Sequence, residues 1–151
     1  MAFAKPSLKG RALRLLGTRE HSRVELERKL APFEDESGAL ARTLDELQAK
    51  GFIDERRVTE SVVHRRAAKW GMVRIRQEMQ DKGLDRELVE KALDSLAGSE
   101  YERAREVWRR KFAAVPDRPA EQAKQARFLL SRGFTSEVVR RVLAADVDET
   151  A

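Results

Sequence analysis

Cysteine is absent from the 151 residues, which excludes a disulfide framework, a thiolate zinc site and a cysteine nucleophile, and fits a reducing compartment. Aromatic residues make up only 6%, so the core is expected to be thin and mostly aliphatic. No stretch approaches the ~20 apolar residues of a membrane span, and the N-terminus lacks the apolar segment of a signal peptide. The chain is therefore expected in the cytoplasm, with no membrane partner. β-Branched residues are few and no run alternates apolar and polar for more than a few positions, so strand signals are nearly missing. The two histidines, His21 and His64, are far apart and flanked by glutamate or arginine, which predicts exposed helix positions rather than a catalytic or metal pair. P-loop, G-x-G-x-x-G, H-E-x-x-H and nucleophile-elbow patterns are missing too. An enzyme is not expected, nor a cofactor.

What is present is helical periodicity, in nine segments. The first starts near Ser7 or Leu8, carries Leu8, Ala12, Leu15 and Leu16 on one stripe, and ends around Gly17. Ser22 opens the second, with Glu25 completing a capping box, and Pro32 stops it. Beyond an acidic loop (Glu34, Asp35, Glu36) that reads as solvated, the third shows Leu40, Leu44 and Leu47 and closes at Gly51. Asp54 caps the fourth, which runs through Val58, Val62 and Val63 to Trp70-Gly71. Val73, Ile75 and Met79 mark the fifth, ending at Lys82-Gly83, and Asp85 caps the sixth, with Leu88, Val89, Leu93 and Leu96. Tyr101, Ala104, Trp108 and Phe112 form the stripe of the seventh. Pro116 and Pro119 punctuate the next loop; the eighth helix runs from about Ala120 to Ser131, and the ninth starts at Thr135 or Ser136. The acidic tail at Asp146, Asp148 and Glu149 is expected to fray.

These helices repeat in threes. Met79, Lys82-Gly83-Leu84, Val89 and Leu93 are matched 50 positions later by Leu129, Arg132-Gly133-Phe134, Val139 and Leu143. The opening helices recur as Ala12/Leu16, Val58/Val62 and Ala104/Trp108, at intervals of 46. Such a period marks a helical array whose units bury their apolar faces by stacking on neighbours. The units read as residues 1–50, 51–98 and 99–151. Arrays present long surfaces rather than deep pockets, so the expected partner is a macromolecule.

Charged residues reach 38%, with a net charge of +5, which favours acidic partners. The cations cluster. Arg65, Arg66, Lys69, Arg74 and Arg76 form a run with no acid; Arg105, Arg109, Arg110 and Lys111 follow on the equivalent helix of the third unit; Lys124, Arg127 and Arg132 make another group. One reading is a set of solvated helix faces with long stems over apolar neighbours. The other is a stripe across units that tracks phosphates or an acidic surface. Recurrence at matching positions, with Arg65/Lys69 and Arg105/Arg109 both four apart, favours the stripe. Trp108 reads as core. Trp70, inside the basic run, reads as packed on the following helix, with stacking on a base as the alternative. Glu27-Arg28-Lys29 shares the E-x-K pattern of metal-dependent nucleases, but those carboxylates sit on a mixed sheet and no strand is predicted here.

Motif by motif, the chain resembles the RecX family of bacterial recombination regulators. The elements are Arg11-Ala12-Leu13-Arg14-Leu15-Leu16, His21-Ser22-Arg23-Val24-Glu25-Leu26 with Lys29-Leu30, and Leu47-Gln48-Ala49-Lys50-Gly51-Phe52-Ile53-Asp54-Glu55. They continue with Arg74-Ile75-Arg76-Gln77-Glu78-Met79-Gln80-Asp81-Lys82-Gly83, Arg110-Lys111-Phe112 and Arg127-Phe128-Leu129-Leu130-Ser131-Arg132-Gly133-Phe134. At Met72-Val73 the chain departs from relatives, which often have proline there. The resemblance implies an all-α fold of three tandem three-helix repeats forming an elongated, curved array. It also implies a monomer that binds the RecA recombinase filament on single-stranded DNA and limits its growth, ATPase, strand exchange and co-protease activity. The basic residues, with Trp70, would meet acidic recombinase surface, DNA backbone or both. A competing reading is a stand-alone nucleic-acid-binding regulator built of helix-turn-helix-like modules.

Overall fold

A computed structural model describes residues 5–150, with side chains described through residue 144. Within it nine α-helices occur and no strand: α1 (Leu8–Thr18), α2 (Arg23–Leu30), α3 (Ala39–Ala49), α4 (Glu55–Arg66), α5 (Met72–Asp81), α6 (Arg86–Ala97), α7 (Glu100–Lys111), α8 (Pro119–Ser131) and α9 (Ser136–Thr150), with a short 3-10 turn at Ala31–Phe33 after α2. The acidic tail expected to fray lies outside the described side chains.

Several starts are set by local chemistry. Ser7 Oγ accepts from Gly10 N at 3.0 Å, and Asp54 Oδ1 from Arg57 N at 3.1 Å. Ser22 and Glu25 exchange both bonds of a capping box, satisfying two donors that a helix start otherwise leaves orphaned. Asp85 occupies the expected cap position of α6 but its side chain makes no capping bond. Helices α3, α5 and α8 end alike. A left-handed glycine follows each, at Gly51, Gly83 and Gly133, and the next amide returns to the carbonyl five residues back: Phe52 to Leu47, Leu84 to Met79, Phe134 to Leu129. This closure needs a positive φ, which a side chain resists.

Two expectations are corrected. Helix α4 ends at Arg66, not at Trp70. Trp70 N turns back to Arg66 O at 2.8 Å, while Arg103 Nη1 donates to Ala67 O and Trp70 O, both at 2.8 Å. Those carbonyls are thus satisfied by a side chain of α7 rather than by further helix. His21 is buried, at 1% exposure, not on an exposed helix face. Its Nδ1 lies 3.0 Å from Arg19 O and its Nε2 3.2 Å from Lys29 Nζ, and burial lowers its pKa. His64 is exposed as expected.

Three cores follow one another, the first two centred on aliphatic residues and the third holding two buried aromatics. Ala12, Leu26, Leu30, Leu44, Leu47 and Ile53 centre the first; Val58, Val62, Ile75, Met79, Val89 and Leu93 the second; Ala104, Trp108, Leu129, Phe134, Val139 and Val142 the third. Helix packing is concentrated within α1–α3, α4–α6 and α7–α9, so turns and side chains join one unit to the next.

Candidate functional site

Units 2 and 3 meet through backbone. Gly71 N donates to Arg132 O at 2.8 Å and Val73 N to Gly133 O at 3.0 Å. The approach is too close for side chains: a Cβ on Gly71 would fall 2.4 Å from Gly133 C and O, and one on Gly133 2.4 Å from Arg74 Cβ. Above this contact, Glu100 of α7 is buried. Its carboxylate accepts from Met72 N at 3.2 Å and pairs with Arg103 Nη2 at 2.7 Å. Burial raises the pKa of Glu100, against the Met72 N–H and the Arg103 charge, which lower it.

This junction assembles a basic cleft. Lys69 enters from the turn after α4, Arg110 and Lys111 from the last turn of α7, and Arg132 from the C-terminal cap of α8; with Ala68, Val107 and Phe128 they line about 330 Å³. The Phe128 ring is held edge-on by Phe112, with centroids 5.5 Å apart. Lys111 Nζ and the Arg132 guanidinium lie 4.3 and 5.1 Å from its centroid. These cations follow or end helices, where the macrodipole is negative, and the fold itself uses part of their charge. No acidic residue lines the cleft, however. Glu106 pairs with Arg110 at 3.2 Å, but both side chains are about half or more exposed, and such a pair is worth little. Four cations beside an apolar floor suit an anionic polymer, whose charges meet the ammonium and guanidinium groups while a flat or apolar part rests on the floor.

The remaining candidates lie elsewhere. The Arg66 and Arg74 guanidinium carbons sit 4.2 and 4.0 Å from the Trp70 ring centroid. Arg66 also pairs with Glu78 at 3.0 Å. The Trp70 ring, half-buried against the second core, is already stacked by cations, so a base would have to displace an arginine to reach it. Arg76 pairs with Glu90, and Lys124 with Glu121 at 3.6 Å; Arg127 is exposed on α8.

The expected stripe through Arg65, Lys69, Arg105 and Arg109 does not form. Because α4 ends at Arg66, Lys69 leaves the helix and enters the cleft, whereas Arg65 stays on α4 with Nε 3.4 Å from Ser61 Oγ. Arg105 and Arg109 are each two residues from Val107, hence about 160° around α7 from the cleft. The adjoining groove between α4 and α7, lined by His64, Glu102, Arg103, Glu106 and Arg110 among others, is mixed in charge.

Sequence reasoning missed Phe128 as the floor, and the Glu100–Arg103 bridge. Glu100 reads as an ordinary first-turn acid, and no local pattern gives its burial. Phe128 was signalled only by its place in a cation-flanked turn. Among the described residues no group of three or more histidines and acids could hold a metal ion, and no helix is long and apolar enough to cross a membrane.

Fold and site together define a tandem three-helix-repeat protein with a basic cleft at a unit junction. Family models described as the second and third three-helix domains of RecX match residues 54–93 and 98–143. The chain belongs to the RecX family. It is 54% identical over 95% of its length, and 92% of the relative's, to "Regulatory protein RecX" of Leptothrix cholodnii. It is 44% identical over 96% of both chains to the protein of that name from Herminiimonas arsenicoxydans. Among solved structures, RecX from Lactobacillus salivarius shares the fold at a TM-score of 0.75 and 19% identity, covering 91% of this chain and 93% of that one. Another RecX crystal structure gives 0.73 and 22%, covering 89% and 70%. The relatives are named as regulatory proteins, which makes a regulatory role the shared property.

Proposed function

We propose that this chain acts in the cytoplasm as a monomer that binds the RecA recombinase filament on single-stranded DNA and restrains filament growth, ATP turnover, strand exchange and co-protease activity. The three units, residues 1–50, 51–98 and 99–151, supply one continuous contact surface. The observation that carries this reading is the cleft of Lys69, Arg110, Lys111 and Arg132 between units, in a member of a family of regulators. A recombinase filament offers both acidic protein surface and phosphate, the two chemistries such a cleft accepts.

Titration of the protein into preformed recombinase filaments, with ATP hydrolysis followed, tests the proposal. Turnover should fall at protein concentrations that barely occupy free DNA. Unchanged turnover at saturation overturns it, and tight binding to free DNA without an effect on the filament supports a stand-alone nucleic-acid binder. Replacing the four cleft cations by alanine should weaken inhibition. If the cleft meets phosphate, the log–log salt dependence of binding should flatten by about 0.7 per cation lost, the value for single strands.

A further inference from the structure

The internal repeat makes one junction a control for the other. Units 1 and 2 meet where the α5–α6 turn reaches the start of α2; units 2 and 3 meet where the α8–α9 turn reaches the start of α5. Lys82-Gly83 and Arg132-Gly133 are the matching pieces, 50 positions apart. Both glycines press on the preceding unit: a Cβ on Gly83 would fall 2.4 Å from Val24 Cγ2, as one on Gly133 would from Arg74 Cβ.

The bonds at the two junctions differ in kind. Helix α2 satisfies its own start, since Ser22 Oγ accepts from Glu25 N and Glu25 Oε1 from Ser22 N, each at 3.1 Å. It needs nothing from unit 2. Helix α5 begins after Gly71, which has no side chain to cap with. Its first donors are satisfied by unit 3: Gly71 N by Arg132 O, Val73 N by Gly133 O, and Met72 N by the Glu100 carboxylate. Without unit 3 those amides are orphaned.

Besides apolar contact at Ile53 and at Gly83 on Val24, unit 1 is tied to unit 2 by charged side chains. Lys82 Nζ lies 3.0 Å from Glu25 Oε1, with side-chain exposures of 9% and 11%. Arg28 Nη1 donates to Asp81 O at 2.7 Å, and Arg57 Nε to Glu20 Oε1 at 2.9 Å. The residue 49 positions after Glu25 is Arg74, a cation that cannot pair with Arg132, so the second junction has no counterpart of this ion pair.

We propose that the chain is mechanically two bodies: units 2 and 3 form one stiff block that carries the basic cleft, and unit 1 is an arm held onto it by a Glu25–Lys82 latch. Opening the latch swings unit 1 relative to the cleft while every helix cap stays intact. A partner is thereby met by a fixed site and an adjustable arm. The inference rests on the two junctions alone and holds whichever partner fills the cleft.

Because the chain has no cysteine, pairs of spin labels can be placed at will on exposed positions of the full-length protein. Arg14→Cys with Lys91→Cys reports across the first junction, and Lys91→Cys with Arg140→Cys across the second. Lys82→Met removes the latch cation and leaves the Ser22–Glu25 capping box. In that variant the first distance distribution should broaden and shift, the second should keep its width, and Lys82→Arg should restore the first. An unchanged first distribution, or equal broadening of both, overturns the proposal. Should Lys82→Met lose helix content, Glu25→Gln removes the latch anion instead and keeps an oxygen that can accept from Ser22 N. The same one-sided broadening is expected there, and a symmetric or absent response is equally decisive against the latch.

Discussion

Replacing Trp108 by alanine removes the largest side chain of the third core, where it is 4% exposed among Ala104, Leu129, Phe134, Val139 and Val142. Loss of so large a buried aromatic costs about 3–5 kcal/mol. A second loss adds to it. Trp108 Nε1 donates to Gln125 Oε1 at 2.8 Å, and Gln125 Nε2 donates to Ala114 O at 3.0 Å. Stranding the buried amide oxygen costs a further ~1–3 kcal/mol. Against a total stability of about 5–15 kcal/mol, the variant should be close to unfolding. Trp108→Phe separates the two contributions, keeping most of the ring contact and losing the hydrogen bond, and should cost about 1–3 kcal/mol. Urea unfolding followed by helical dichroism measures both. A cost for Trp108→Ala below about 1 kcal/mol, the range of surface substitutions, would refute the core assignment. Equal costs for the two variants would show that the hydrogen bond, not packing, holds this part of unit 3.

Three further outcomes follow from named contacts. Burial pushes the Glu25 carboxyl up, but Arg19, the Ser22 N–H and Lys82 outweigh it and hold the pKa at about 2 against 4.5. A lowered carboxyl pKa gives stability that is complete above 4.5 and is lost as pH falls toward 2, about 3 kcal/mol in all. Stability of Glu25→Gln should therefore be lower at neutral pH and decline less across that acid window; an unchanged slope would rule the contribution out. Glu100 has the opposite sign, because its raised pKa gives a contribution that is complete below 4.5 and lost as pH rises through the folded value. Glu100→Gln, which keeps an acceptor for Met72 N, should show a weaker decline over that rise, and a parallel pH–stability curve would contradict the assignment. Gly133→Ala, at φ 92 with Arg74 N 2.7 Å from the added Cβ, should cost at least about 1–3 kcal/mol and weaken binding at the cleft without removing a cation; wild-type stability would mean the junction has slack.

How much of this was legible in the sequence depends on the range of the interaction. Capping boxes, left-handed glycines and apolar stripes act within a few residues, so the nine helices, the cap at Asp54 and the core place of Trp108 could be read directly. Repeats carried this local information to three units. Side-chain placement between units could not be read so. The Arg65/Lys69 pair reads as one helix face only if α4 continues, and what stops it is Arg103, which takes the Ala67 and Trp70 carbonyls from 36 and 33 residues away. His21 looks like a surface residue beside Glu20 and Ser22, yet the fold buries it against Arg19 and Lys29. Arg103 lies far outside the local window; Arg19 and Lys29 are 2 and 8 residues from His21, and what no local pattern gives there is the burial itself.

Matching positions in a repeat need not do matching work, and Ser22 and Gly71 show why. They stand 49 residues apart at the start of equivalent helices. A serine there closes the helix locally, and the joint to the next unit is then left to side-chain contacts, which are geometrically tolerant. A glycine leaves the amides open, and they are satisfied only when the next unit presents its carbonyls at hydrogen-bond distance. One side chain thus decides whether a junction is a main-chain bond with fixed geometry or a side-chain contact with latitude. The basic cleft lies at the first kind of junction, where its four cations, drawn from two units, are held in a constant arrangement.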